Sequence, residues 1–196
     1  GTLASLSLGS VNPYKGLRAF READAAEFCG RSELVGALVD RVEADPFVLV
    51  VGPSGSGKSS LVHAGAVPAL RQRGALVVSM VPSSDPFVEL EAALRRVATT
   101  EAGDIGARLQ ERNGLADIAA EIATGGGPVV VVIDQFEEVF THASQAERTQ
   151  FLDGLLAAVH DPRTRLRVVL TIRADFLGGP LRHAQLAARL ETATVT

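Results

Sequence analysis

The amino-acid sequence predicts an α/β fold: a mostly parallel sheet with helices on both faces, three layers in all. Four short apolar runs, residues 47–51, 76–80, 129–133 and 167–172, read as strands buried on both faces. Segments of helical period lie between them, and strands that alternate with helices build a parallel sheet. The chain has 196 residues, 46% hydrophobic and 21% charged, which suits one globular domain with its own core.

The elements follow in order. Residues 1–16 are rich in Ser, Gly and Thr and open the chain irregularly. We expect a lead-in over 1–11 and the domain proper over 12–196, with Asn12-Pro13 as a turn or extended entry. Leu34, Val35, Leu38 and Val42 recur at helical spacing within 31–44; Ser32 is the expected N-cap and Pro46 the stop. After the strand at 47–51 comes a loop over 52–57, then a helix over 58–73 that Pro68 is expected to kink or end. Asp85-Pro86 opens a helix carrying Leu90, Leu94 and Val97. One or two helices occupy 104–123, divided near Asn113-Gly114, and Gly125-Gly126-Gly127 breaks the chain before the strand at 129–133. A helix over 145–160 puts Phe151, Leu152, Leu155, Leu156 and Val159 on one face. A further helix is expected over 181–190, and a fifth strand begins within 193–196.

Composition narrows the function. Nineteen Lys plus Arg against 23 Asp plus Glu give a net charge of −4, which argues against nucleic-acid backbone binding as the domain's main task. No apolar run approaches the roughly 18 residues of a membrane span, and the first ten residues lack the basic leader of a signal peptide. The single cysteine, Cys29, allows no internal disulfide, so a reducing, cytoplasmic setting is the default expectation. Only Lys15 and Lys58 are lysines among 19 basic residues, which gives each of them weight.

Lys58 stands in a motif. Gly52-Pro53-Ser54-Gly55-Ser56-Gly57-Lys58-Ser59 matches the phosphate-loop pattern G-x-x-x-x-G-K-[ST] and falls between a strand and a helix. At this composition chance supplies about 0.002 such matches. The glycines let backbone N–H groups wrap a phosphate, and the helix N-terminus adds its positive dipole end. Lys58 is expected to reach the β- and γ-phosphates of a nucleotide, and Ser59 to ligate Mg²⁺. Ser60 is a second hydroxyl one position late; we count it with the loop, although helix packing is its plainer role.

Two further strand ends carry polar residues, and ligands of parallel sheets bind at such carboxyl ends. Asp134 follows the apolar run 129–133 and is expected to face the Mg²⁺. Glu137 and Glu138 come three and four residues later; either can orient the attacking water, and acids also crowd the first turn of any helix. Gln135 stands directly after Asp134, where many hydrolysing P-loop ATPases have glutamate. Arg173 ends the strand at 167–172 and is expected near the γ-phosphate, with Asp175 as a cap or partner.

Three segments in order, GPSGSGKSS, VVVVIDQFEEVF and VVLTIRADF, preceded by NPYKGLRAF and FCGRSEL, resemble the bacterial "novel STAND" NTPases, a branch of the signal-transduction ATPases with numerous domains. The resemblance covers about Asn12 to Thr196. It implies a five-stranded P-loop NTPase core of the strand-insertion type, related to AAA+ domains, with Arg173 as the sensor arginine. It also implies that residues 12–31 pack over the adenine side, with Gly30 and Arg31 as the family's glycine-arginine pair. Tyr14 and Phe20 are open to a place on the base or in the core, the core being favoured; Cys29 departs from a frequent aromatic. Such proteins are ATP/ADP switches: ADP holds them closed and exchange for ATP opens them, with self-association as one output. Effector or DNA-binding domains often precede the core, and sensor arrays such as WD-repeat propellers often follow. The lid and winged-helix regions implied by the resemblance are not found within these residues.

Other features read plainly. His63, His142, His160 and His183 lack metal spacing and read as surface or helix residues. Arg95-Arg96 and the arginines of 163–167 read as solvated faces. The leading expectation is an ATP-binding switch core with slow hydrolysis. A scaffold with a vestigial nucleotide site and a small-molecule kinase are the alternatives, the second lacking a clear lid. A GTPase is disfavoured because neither Asn12 nor Asn113 sits in a guanine-reading N-K-x-D segment, and an ABC-type ATPase because no LSGGQ-like segment occurs.

Overall fold

The structure, a computed structural model, describes residues 32–98, 104–123, 126–180 and 194–195. Helix α1 (Ser32–Ala44) buries Leu38, Val39 and Val42, and Ser32 is its first residue rather than the residue before it. Asp45 then caps the start of β1 (Phe47–Gly52), its carboxylate accepting from the Phe47 N–H at 3.0 Å. After the 52–57 loop the chain winds through α2 (Lys58–Ser60), a π-helical stretch (Leu61–Ala66) and α3 (Val67–Gln72). The expected kink at Pro68 is thus displaced: the hydrogen-bond register widens before the proline. Pro68 then sits in the first turn of α3, where its missing N–H and fixed φ are tolerated.

Strand β2 (Leu76–Met80) leads to α4 (Pro86–Arg95), whose N-cap Asp85 accepts from the Phe87 and Val88 N–H groups at 3.0 and 3.2 Å. Val97 falls past the end of α4 but still packs on the core. The 104–123 segment forms two helices, α5 (Ile105–Leu109) and α6 (Gly114–Ile122). Strand β3 (Val129–Ile133), α7 (Glu137–His142), α8 (Gln145–His160) and β4 (Arg167–Arg173) follow. A capping box between Ser144 and Glu147 starts α8. The expected fifth strand is β5 (Thr194–Val195). The helix expected over 181–190, the lead-in, and Tyr14, Phe20, Cys29, Gly30 and Arg31 lie outside the described residues.

All strand pairs are parallel, in the order β2-β3-β4-β1-β5. Strand β4 is inserted between β1, which carries the phosphate loop, and β3, which carries Asp134. This is the strand-insertion arrangement, and the three layers are α/β/α.

The two faces of the sheet use different residues. Val48, Val50, Val77, Val130, Val132 and Val169 point to one face, under α1, the π-helical stretch and α3. Phe47, Leu49, Met80, Ile133, Leu170 and Ile172 point to the other, under α4 to α8. Each buried side chain of this size is worth about 1.5–3 kcal/mol. On the first face the covering helices also press close to each other: a Cβ on Gly65, in the π-helical stretch, would lie 2.3 Å from Val35 Cγ2 of α1. That face seats the helix that follows the phosphate loop, so tight packing there fixes the loop's position.

Candidate functional site

The 52–57 loop leaves β1 at the carboxyl edge of the sheet, with Pro53, Ser54 and Gly55 exposed. Gly55 (φ 75°) and Gly57 (φ 85°) adopt left-handed backbone that a Cβ would oppose. The turn at Gly57 leads straight into α2, so the loop curls over a helix N-terminus. Lys58 folds back over the loop and donates to the carbonyl oxygens of Gly52 at 2.9 Å and Pro53 at 2.8 Å. The Ser56 N–H donates to the Pro53 carbonyl at 3.3 Å. Desolvation pushes the Lys58 ammonium below its ordinary pKa, against the opposing pull of Glu137 and Asp134.

Asp134 is buried, at 3% exposure, and four groups from three segments converge on it. Its Oδ1 accepts from Ser59 Oγ at 2.9 Å, from the Gln135 N–H at 3.1 Å, and from Thr171 Oγ1. Its Oδ2 meets His63 Nε2 at 3.2 Å. Burial alone would raise the Asp134 carboxyl; the hydrogen bonds from His63, Thr171 and Ser59 outweigh it and hold the group below the usual carboxylate range. Gln135 takes a left-handed φ of 55°, uncommon for a side chain of this kind, and its N–H also lies 3.0 Å from Thr171 Oγ1. The Phe136 N–H donates to the Thr171 carbonyl at 2.8 Å, tying the chain after β3 to the inserted strand β4.

The two glutamates part company here. Glu137 is buried at 7% exposure, and its Oε2 accepts from the Arg173 N–H at 3.3 Å. Glu138 turns to its own helix and pairs with His142 at 2.8 Å. Arg173 pairs in register with Gly52, at the first residue of the phosphate loop. Its guanidinium forms a two-pronged ion pair with Asp175, at 3.1 and 2.7 Å, and lies 5.1 Å from the centre of the Phe176 ring. Asp175 holds the Arg173 guanidinium above its ordinary pKa and is itself lowered by it.

The structure therefore brings Gly52, Lys58, Ser59, Asp134, Glu137 and Arg173 to one edge of the sheet; Ser60 follows half-buried in the helix. Two members were not anticipated. Thr171 is the lone hydroxyl in an apolar strand, and that interruption was its only sequence mark. His63, expected as a surface or helix residue, is on the helix but turns inward to Asp134. Its mark was the four-residue spacing from Ser59, which puts both on one helix face. A hydroxyl and a carboxylate, both hard oxygen donors, suit Mg²⁺.

A family model described as Novel STAND NTPase 1 matches residues 13–196. Comparison with curated proteins returns no match. Among solved structures, the fold is similar to a Walker-type ATPase of Pyrococcus abyssi, with TM-score 0.60 and 16% identity over 86% of this chain and 53% of that one. It is similar also to the ORC2 protein of Aeropyrum pernix. The ADP form gives TM-score 0.54 and 12% identity over 93% of this chain and 49% of that one. The ADPNP–ADP complexes give 0.53 and 13% over 83% and 46%. The chain spans about half the length of the solved structures it matches. At these identities the likeness is one of fold, that of the P-loop ATPases.

Proposed function

The chain belongs to the novel STAND NTPase 1 family, and from that premise we propose that it is the ATP- and ADP-binding core of a signal-transduction switch, with slow Mg²⁺-dependent ATP hydrolysis. One observation carries the reading. Ser59, the last residue of the phosphate-loop motif, and Asp134, at the end of β3, are 75 residues apart in sequence yet hydrogen-bonded at 2.9 Å. That is the pairing needed to hold a metal beside a triphosphate.

The roles follow from position. The loop N–H groups and the start of the helix take the phosphates. Lys58 exchanges its two carbonyl partners for β- and γ-phosphate oxygens. Ser59 and Asp134 would hold Mg²⁺, which when bound would supply charge neutralisation at the phosphates. We assign Glu137 rather than Glu138 to the attacking water, because Glu137 lies against Arg173 at the sheet edge while Glu138 is engaged with His142. Arg173 reads the γ-phosphate by leaving Asp175 for it.

A switch needs an input and an output. We place these in sensor and effector regions of a longer chain, such as a WD-repeat propeller, with ATP-dependent self-association as one form of output. With a net charge of −4, nucleic-acid contact is assigned to other domains. The setting we propose is cytoplasmic; among the described residues no helix is long and apolar enough to cross a membrane.

Single-turnover phosphate release tests the hydrolytic part. Glu137→Gln should slow release by about a hundredfold or more with ATP affinity retained, and Glu138→Gln should leave it within about threefold of wild type. No release by wild type above the uncatalysed rate would leave a nucleotide-binding scaffold. Equal losses in the two variants would overturn the choice of Glu137.

A further inference from the structure

His63 contacts the Asp134 carboxylate and has no part in the chemistry just described. The two carboxylate oxygens are served unequally. Oδ1 accepts from Ser59, Thr171 and the Gln135 N–H, whereas Oδ2 has His63 Nε2, at 3.2 Å, as its one partner among the described residues. Rotation about the Cβ–Cγ bond moves both carboxylate oxygens, so a donor on Oδ2 restrains the same torsion that the donors on Oδ1 hold. If the Ser59 hydroxyl turns to a cation, the hold on Oδ1 weakens and the hold on Oδ2 matters more.

The ring is placed for this. His63 lies four residues after Ser59, within the π-helical stretch Leu61–Ala66, and its side chain is 22% exposed against 5% for Asp134. Short π-helical segments inside helices occur often at functional sites. The imidazole is a poor ligand for Mg²⁺, which prefers oxygen donors, so its contribution runs through Asp134.

We propose that His63 is a positioning residue for Mg²⁺-dependent nucleotide binding: its Nε2–H donates to Asp134 Oδ2 and fixes the orientation of the carboxylate that Ser59 and the cation share. This rests on the nucleotide reading above. Groups that orient a metal ligand typically contribute about ten- to a hundredfold to metal affinity.

The test is calorimetric titration of ADP into the 196-residue chain, with Mg²⁺ and with EDTA, for wild type, His63→Ala and His63→Gln. The readout is the ratio of the two affinities. His63→Ala should lower that ratio about tenfold or more, with Mg²⁺-free affinity within about twofold of wild type. His63→Gln, whose amide offers an N–H donor, should recover most of the ratio. A wild-type ratio in His63→Ala would overturn the proposal while leaving the nucleotide reading intact. A glutamine variant as impaired as alanine would also overturn it, by tracing the loss to packing. A wild-type chain that binds ADP without Mg²⁺ enhancement would overturn both the metal assignment and this inference, and one that binds no ADP would overturn the nucleotide reading itself.

Discussion

The phosphate loop and the Asp134 cluster meet at one hydrogen bond, Ser59 to Asp134, yet they are built in opposite ways. The loop is local and exposed: six consecutive residues shape it, two of them glycines with positive φ, and its polar groups are mostly backbone. The cluster is buried and long-range, with Ser59, His63, Asp134, Gln135 and Thr171 drawn from three segments by the sheet order. The difference separates two duties. The loop needs backbone freedom and room for a ligand, so its side chains matter for binding more than for folding. The cluster must keep a carboxylate charged inside the protein, so its side chains matter for folding as well as binding.

The largest expected effect falls on the loop side. Lys58→Ala should weaken ATP and ADP binding by about a hundredfold, as expected from losing charge-assisted hydrogen bonds worth about 1.5–3 kcal/mol each. Thermal unfolding of the same variant should be nearly unchanged, because its present partners are two loop carbonyls, one exposed and one only half-buried, that water can serve once the lysine is gone. A large drop in melting temperature would break the contrast.

On the cluster side, Thr171→Val keeps the shape and removes a donor from buried Asp134. It should cost about 1–3 kcal/mol, roughly 2–10 °C in melting temperature for a chain of this size. Its pH dependence sharpens the point. The folded Asp134 carboxyl is held low, so its contribution is full above the unfolded value of about 3.9 and is lost as pH falls through the folded value. Removing the Thr171 hydroxyl raises the folded value towards the unfolded one, so the variant, already less stable near neutral pH, should lose less further stability on acidification than wild type. Urea unfolding between pH 3 and 7, at steps of about one unit, checks the direction.

These two sites also show what was legible in the sequence. The loop was readable because its chemistry is written in consecutive residues. The strands Leu76–Met80 and Val129–Ile133 were readable to the residue from their apolar runs, and the helix Gln145–His160 from the four-residue spacing of Phe151 to Leu155 and Leu152 to Leu156. Asp134 was readable as the acid ending an apolar strand. Thr171 and His63 were not, because their roles exist only once β4 slides between β1 and β3 and the helix seats on the valine face. The π-helical stretch was equally hidden: Pro68 announced an irregularity, but its accommodation lies in the turn before it. Glu137 and Glu138 are chemically identical on paper and differ only in which side of α7 faces the sheet edge.

Smaller effects should follow. Gly57→Ala, at φ 85°, should cost about 1 kcal/mol in urea unfolding from left-handed strain, and should weaken nucleotide binding more than it weakens the fold. Asp175→Asn, which breaks an exposed ion pair with Arg173, should leave the melting temperature unchanged within error.

The central claim is that Ser59 and Asp134 form a Mg²⁺ pair beneath a nucleotide-binding phosphate loop. Calorimetric titration of ADP and ATP, with and without Mg²⁺, into wild type and Asp134→Asn tests it most directly. Enhancement by Mg²⁺ in wild type that disappears in a folded Asp134→Asn chain is the predicted result. Nucleotide binding with the same Mg²⁺ enhancement in both chains would contradict it.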